Sequence, residues 1–204
     1  HAQIRVVVAD NGSTDRTTTI VQHYTTREPR LTLFSVSFRG KGNAICTAWQ
    51  HYLSDINVFL DADLSADLVA LPELIRSVAE GADIAIASRF VPGAVVTRSW
   101  SRRIFSRTLR FLLWGVFGLH VRDAPCGMKA VSRRVVEELV PRIRDRAWFF
   151  DTELLIRAER QGFRIAEIPV RWSDSADRDR PSRVAVWKVA GSYLLSIARL
   201  RFSL

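Results

Sequence analysis

The run Asn57-Val58-Phe59-Leu60-Asp61-Ala62-Asp63 ends a short apolar stretch in two carboxylates two residues apart. Side chains at i and i+2 share one face of an extended strand, so Asp61 and Asp63 can hold one hard divalent cation between them and the phosphates of a substrate. Open α/β folds bind ligands at the carboxyl ends of their strands, where this spacing would deliver both acids. The competing assignment is structural: the pair caps the helix expected over Pro72 to Glu80.

Two further turns carry polar groups of the right kind. In Val8 to Asp15, Asp10 directly follows an apolar run and is the better ligand candidate, whereas Ser13 and Asp15 suit the cap of the next helix. Arg39-Gly40-Lys41-Gly42 offers two cations and two small residues at a strand-to-helix turn, where backbone amides and Lys41 can approach a phosphate. The turn lacks the GxxxxGK[ST] spacing, which argues against a nucleoside triphosphatase.

Positioning these groups requires strands alternating with helices. Strand-like runs at Ile4 to Ala9, Leu31 to Val36, the stretch ending at Asp61, and Asp83 to Ala87 alternate with helical patterns at Arg16 to Thr26, after Gly42 to about Tyr52, and from Pro72 to near Gly81. That order predicts a parallel, layered α/β sheet. Past Arg89 come a long basic and apolar helix region, a turn around Asp123 to Gly127, and a further strand and helix up to Gly162. A strand is expected over Ile165 to Trp172, then a polar loop from Ser173 to Arg183 and an amphipathic segment from Val184 to Leu204. The chain opens within a strand-like run, so one upstream strand is expected beyond it.

Composition bounds the partners. Thirty Lys and Arg against 21 Asp and Glu give a net charge of +9, which calls for an anionic partner: phosphorylated substrate, anionic membrane or nucleic acid. The 204 residues suffice for one domain with a substantial core. Cys46 and Cys126 lie far apart and form no CxxC pair, so neither a zinc site nor a disulfide framework is indicated. No uninterrupted apolar run reaches the ~18 residues of a membrane span. Phe111 to Leu119 is apolar but short, and it follows Arg98, Arg102, Arg103, Arg107 and Arg110; such a helix can lie in a headgroup interface, or be a core helix with a solvated Arg face.

DNGSTD, RGKGNA, DADLSAD and ASRFVPG, in this order and spacing, resemble family 2 glycosyltransferases of the GT-A fold. Val121 to Lys129 (VRDAPCGMK), WFFDTE from Trp148 and AEIPV from Ala166 are similar to signatures of the polyprenyl-phosphate branch of that family. Within the branch the ending ARLRF most resembles dolichyl-phosphate β-glucosyltransferases, with the mannosyltransferases next. The resemblance spans essentially the whole chain. It implies a Rossmann-like GT-A domain over residues 1–183, a layered, mostly parallel sheet flanked by helices, followed by a membrane-proximal segment 184–204.

Carried over residue by residue, the resemblance implies that Asp10 and Asn11 contact the nucleoside, with Arg39 and Lys41 near the nucleotide. Asp61 and Asp63 match the DxD motif that binds Mg²⁺ or Mn²⁺ and the diphosphate of the sugar donor. Arg89, with Arg102 or Arg103, matches basic residues that hold an acceptor phosphate, Asp123 matches an acid near the reaction centre, and Ser182 and Arg183 match a pair in a loop over the nucleotide. The family's opening strand with its PxYNE motif is absent, Asn11 replaces a second acid, Ser65 stands where many mannosyl enzymes have Gln, and Pro181-Ser182-Arg183 replaces a Gly-Ser-Lys turn. The last three bear on donor preference more than on reaction type.

Structural assignments stand beside these. Asp123 can be a turn residue satisfying backbone amides, and Asp151 and Glu153 helix N-terminal acids favoured by the macrodipole. Arg102 and Arg103 can form a solvated helix face, Cys126 a buried small residue, and Trp148 to Phe150 core packing. The resulting expectation is an inverting transferase moving a hexose, glucose favoured, from UDP-glucose or, alternatively, GDP-mannose to a polyprenyl phosphate. It would work at the cytoplasmic face of a membrane, with no nucleic-acid partner. The rivals are a soluble family 2 glycosyltransferase with another acceptor, a nucleotidyltransferase, a nucleotide-binding degenerate transferase, and a nucleic-acid-binding protein, which would explain the charge alone.

Overall fold

The computed structural model describes residues 3–97, 100–173 and 186–204, and the side chains of 101, 102 and 186–190 fall outside that description. Strand β1 (Val6–Asp10), helix α1 (Thr17–Thr25) and strand β2 (Leu31–Ser35) form a right-sized βαβ unit in which β1 and β2 pair in parallel, Val6 opposite Leu31. Helix α2 (Lys41–His51) leads to β3 (Ile56–Leu60), which ends one residue before Asp61. A 3₁₀ turn at Leu68–Ala70 opens α3 (Leu71–Ala79), and β4 (Ile84–Ser88) follows. Beyond it lie β5 (Val95–Thr97), α4 (Trp100–Phe117), β6 (Met128–Ser132), the short α5 (Arg133–Glu138) and α6 (Phe150–Arg160). Strands β7 (Ile165–Pro169) and β8 (Arg171–Ser173) and helix α7 (Val186–Arg201) complete the described order.

The central sheet runs β3-β6-β4-β7, while β1 with β2 and β5 with β8 form two-stranded ladders. Sheet burial follows from strand alternation. Ile84 and Ile86 of β4 enter a large cluster with Trp49, Leu113, Phe150 and Leu154, and the intervening Ala85 and Ala87 enter a smaller one with Leu74 and Val78 of α3. Both faces of this sheet are therefore covered, as expected where helices flank a layered sheet. Tyr193, Ile197 and Leu200 of α7 belong to the large cluster, so this helix packs on the same core as the rest of the chain.

The layered sheet is mostly parallel, as expected, with one reversal in the central sheet: β6 runs antiparallel to both β3 and β4, while β1 with β2, β4 with β7 and β5 with β8 pair in parallel. Apolar periodicity reports burial and carries no direction, so the reversal after the Asp123 to Gly127 turn had no local signal. The strand expected over Ile165 to Trp172 is broken at Val170. Pro169 has no N–H to extend a ladder, and the Val170 carbonyl accepts the Val95 N–H at 3.1 Å, which diverts the chain from β4 to β5.

Candidate active site

Asp61 leaves β3 with its N–H donated to the Gly127 carbonyl at 2.8 Å, and Asp63 turns back on itself to accept the Ser65 N–H at 3.0 Å. Neither caps the next helix; Asp67 does so, its carboxylate accepting the Val69 N–H at 3.0 Å. Leu64, between Asp63 and Ser65, has φ +48°, a left-handed conformation that a branched side chain adopts only under constraint. The Asp61 carboxylate lies against the bare α-carbon of Gly127, where an added methyl would stand 1.9 Å from Oδ2. Leu60, Asp61, Asp63, Gly127 and Trp172 line one small pocket.

Lys41, the first residue of α2, reaches the Asp61 carboxylate from beyond that lining. Its Nζ lies 2.9 Å from Asp61 Oδ1 and 2.9 Å from Asp151 Oδ2. On the far side of Asp151, the fully buried Lys129 places Nζ 3.1 Å from Oδ1 and also donates to the Cys126 carbonyl. Two carboxylates and two ammonium groups thus alternate from the pocket into the core. Burial by itself would lower the Lys41 pKa, but Asp151 and Asp61 together outweigh it and hold the ammonium charged. The Asp61 pKa is raised, first by burial and also by Asp151 and Asp63, because Asp61 receives only a share of Lys41.

Glycine brings Lys41 to this place. A methyl on Gly42 would stand 2.5 Å from the Phe150 Cβ, and the Gly42 and Asn43 N–H groups donate to the Ala147 and Arg146 carbonyls at 3.0 and 2.8 Å. The N-terminus of α2 therefore docks on the segment preceding α6, which puts Lys41 opposite Asp151. That segment is itself fixed by Glu153, whose carboxylate accepts the Arg144 and Asp145 N–H groups and the Arg157 guanidinium at 2.7 Å. Asp151 and Glu153 do sit in the first turn of α6, as a macrodipole assignment requires, but both are buried and both are paired.

Asp10, itself buried, ends β1 directly before a second, open cleft. Its carboxylate accepts the Ser13 N–H at 3.1 Å and the Thr18 hydroxyl at 3.4 Å, and the Ser13 hydrogen bonds hold its pKa below the usual carboxylate value. Asn11, Gly12, Ser13 and Arg39 line this cleft, and the buried Oδ1 of Asn11 has no hydrogen-bond partner among the described residues. An orphaned buried acceptor beside an open cleft is a group placed to meet a ligand donor. Arg39 lines this cleft, and Lys41, two residues on, pairs with Asp61 and Asp151.

Arg89 and Asp123 are locked together. The Arg89 backbone N–H and Nε each donate to Asp123 Oδ2 at 2.8 Å, and Nη2 donates to Oδ1 at 2.7 Å. The guanidinium also stacks over Trp172, 4.5 Å from the ring centroid, which sets the pair one side chain away from the Asp61 pocket. Arg103 lies on the exposed surface of α4, with Nη2 donating to the Val96 carbonyl at 3.0 Å. The Arg102 side chain, and Ser182 and Arg183, lie outside the described residues.

The structure thus sets Asp61 and Asp63 in one pocket, with Lys41 paired to Asp61, and Asn11 and Arg39 around a second cleft, with the buried Asp10 next to Asn11 in the chain. Sequence reasoning passed over Lys129 and Trp172. A lysine inside the apolar run Met128 to Val131 was the available signal, since a charge in a buried strand demands a partner. Of the aromatic run, Phe149 and Phe150 are buried, whereas Trp148 is partly exposed with its ring 5.7 Å from Lys41 Nζ.

A divalent cation fits this pocket. Asp61 and Asp63 both line it, and carboxylate oxygens are the donors a hard cation takes, with Asp61 Oδ1 held by Lys41 in this structure. Among the described residues no cluster of three or more His, Cys, Asp or Glu is placed to hold a metal. The pair would therefore share a cation with phosphate and water, the usual division for Mg²⁺.

Residues 1–140 match the family described as Glycosyl transferase family 2. Glycosyltransferase AglD of Haloferax volcanii is 37% identical over 174 residues, covering 84% of this chain and 28% of that protein. Polyprenol monophosphomannose synthase of Mycolicibacterium smegmatis is 28% identical, covering 93% and 78% respectively. The dolichyl-phosphate beta-glucosyltransferase of Saccharomyces cerevisiae is 29% identical, covering 83% and 57%. The chain thus spans less than a third of one of these relatives and little over half of another. Glucosyl-3-phosphoglycerate synthase of Mycobacterium tuberculosis, solved with Mn²⁺, UDP and glucosyl-3-phosphoglycerate, superposes with a TM-score of 0.68 at 20% identity, over 97% of this chain and 68% of that one. The two share a GT-A fold.

Proposed function

The chain belongs to glycosyl transferase family 2, and from that premise we propose that it is an inverting hexosyltransferase carrying a sugar, glucose favoured, from a nucleotide diphosphate donor to a polyprenyl phosphate. The observation that carries this reading is the pocket lined by Asp61 and Asp63 at the exit of β3, with Lys41 paired to Asp61, an arrangement that suits a cation and a diphosphate. Relatives named for polyprenol and dolichyl phosphate support the acceptor class.

In this reading Asp10 and Asn11 hold the nucleoside, Arg39 and Lys41 meet the diphosphate, and Ser182 and Arg183 belong to the nucleotide side. Asp61 and Asp63 would hold Mg²⁺ or Mn²⁺, which when bound neutralises charge on the departing diphosphate. Arg89, with Arg102 or Arg103, would align the acceptor phosphate through charge-assisted hydrogen bonds. The clamped Arg89 and Asp123 fix the wall between acceptor and donor. An acceptor phosphate oxygen attacks the anomeric carbon from the face opposite the diphosphate; the carbon–oxygen bond to the diphosphate breaks, and its electron pair leaves with that oxygen. The acceptor is already anionic, so the chain need supply no strong base, only alignment and charge.

A lipid acceptor requires a membrane surface. Trp100, Ile104, Phe111 and Trp114 of α4 are all exposed, at 75%, 52%, 68% and 59%. At ~100° per residue they fall within about a quarter-turn of one another. Arg103, Arg107 and Arg110 lie beside them, and the charge suits an anionic headgroup layer. Among the described residues no helix is long and apolar enough to cross a membrane. We assign residues 1–183 to the catalytic domain and 184–204 to a membrane-proximal segment at the cytoplasmic face, whose helix α7 packs on the domain core.

The test supplies polyprenyl phosphate, Mg²⁺ or Mn²⁺, and radiolabelled UDP-glucose or GDP-mannose in parallel, and counts label in the organic phase. Label from one donor that needs metal and disappears in Asp63→Ala supports the reading and names the donor. No lipid label from either donor, in folded protein that binds nucleotide, rejects the lipid acceptor.

A further inference from the structure

We propose that Lys41 is an exchangeable counter-ion, occupying Asp61 when no donor is bound and yielding that carboxylate when a divalent cation arrives together with a diphosphate. The proposal rests on the reading of Asp61 and Asp63 as a cation site and concerns how that site is kept and released.

The geometry separates the two lysines. Lys129 is wholly buried, anchored to Asp151 Oδ1 and the Cys126 carbonyl, and has nowhere to move. Lys41 is partly exposed, with Asp61 Oδ1 and Asp151 Oδ2 each 2.9 Å from its ammonium. Because Lys129 already serves one oxygen of Asp151, the other remains available to Lys41 whether or not Lys41 also holds Asp61. The ammonium can thus release Asp61 and keep a buried partner.

A cation approaching by itself must displace Lys41 from Asp61 and leaves it beside an added double charge. A cation bearing a diphosphate brings the ammonium new oxygens in exchange. Cation and nucleotide are therefore positively coupled, each tightening the other by the same factor. Lys129 and Asp151 act as positioning residues in this scheme, since neither need touch the ligand.

The experiment titrates the full chain with Mn²⁺ by electron paramagnetic resonance, with and without UDP, and with GDP in parallel. In the unaltered chain the nucleotide tightens Mn²⁺ binding by about tenfold or more, within the range of coupling between ligand sites. Lys41→Met removes the competitor: Mn²⁺ alone binds several-fold more tightly, and the coupling to nucleotide shrinks. Asp151→Asn leaves Lys41 to Asp61 alone, so Mn²⁺ alone binds more weakly while the nucleotide still tightens it. Opposite shifts in two variants of native circular dichroism separate competition from general damage. If Mn²⁺ binds but Lys41→Met leaves it unchanged or weaker, or if both variants shift the same way, the counter-ion role is overturned. If Lys41→Met does not fold, Asp151→Asn decides, and unchanged or tighter binding of Mn²⁺ alone overturns the role. If Mn²⁺ fails to bind every form even with nucleotide, the cation-site reading falls and takes this proposal with it.

Discussion

The Asp61 carboxylate rests on the α-carbon of Gly127, and the Asp61 N–H donates to the carbonyl of the same glycine at 2.8 Å. One residue thus fixes both the backbone and the side chain of the acid at the exit of β3. Gly127 has no positive φ, so alanine is allowed by the backbone, and the nearest atoms in its way are those of the Asp61 side chain. Gly127→Ala is expected to turn Asp61 out of the pocket and weaken Mn²⁺ binding about 10- to 100-fold, the range for losing a group that orients a metal ligand. Calorimetric titration with Mn²⁺, beside a melting curve close to that of the unaltered chain, checks it.

Arg89 and Asp123 form a buried ion pair with the geometry of a fork. Removing one partner strands the other, so Asp123→Ala is expected to cost about 3–5 kcal/mol in urea unfolding. The double variant Arg89→Met with Asp123→Leu should recover much of that loss, because no buried charge then lacks a partner. A double variant as unstable as the single would show that shape, and not charge, dominates the site.

Burial pushes the Cys46 thiol up to about 11 and the Cys126 thiol up to about 12. Both are free and buried. A thiol whose folded pKa is raised contributes stability below its unfolded value of about 8.5 and loses that contribution as pH rises. Stability is therefore expected to fall from about pH 9 towards 12. Native protein at pH 8 should resist an aromatic disulfide reagent that modifies both thiols once urea is added.

Whether α4 lies on a membrane is open to a direct measurement. The double variant Phe111→Ser with Trp114→Ser is expected to lower binding to vesicles containing anionic lipid by about tenfold or more, since each side chain stands to bury ~1.5–3 kcal/mol of apolar surface. Cosedimentation with vesicles reads the change. Equal binding by both proteins would place the contact elsewhere.

Which parts were legible follows from the range of the signal. Asp61 and Asp63 at a strand exit, the glycine turn around Lys41 and the alternation of strands with helices rest on neighbours a few residues apart. Their order along the chain also carried the family. Asp151 was legible only as a helix N-terminal acid, because the partners that give it another role, Lys41 and Lys129, lie 110 and 22 residues away.

The sequence by itself determined the element types, the acidic pair, the basic surface and the family, since local spacing and composition suffice for each. Tertiary structure alone decided that β6 runs antiparallel between β3 and β4, that Asp123 is spent on Arg89, and that a buried lysine backs Asp151. The physical reason is that a buried charge takes its meaning from its partner. Strand direction and helix docking choose that partner, and neither is written in any window of a few residues.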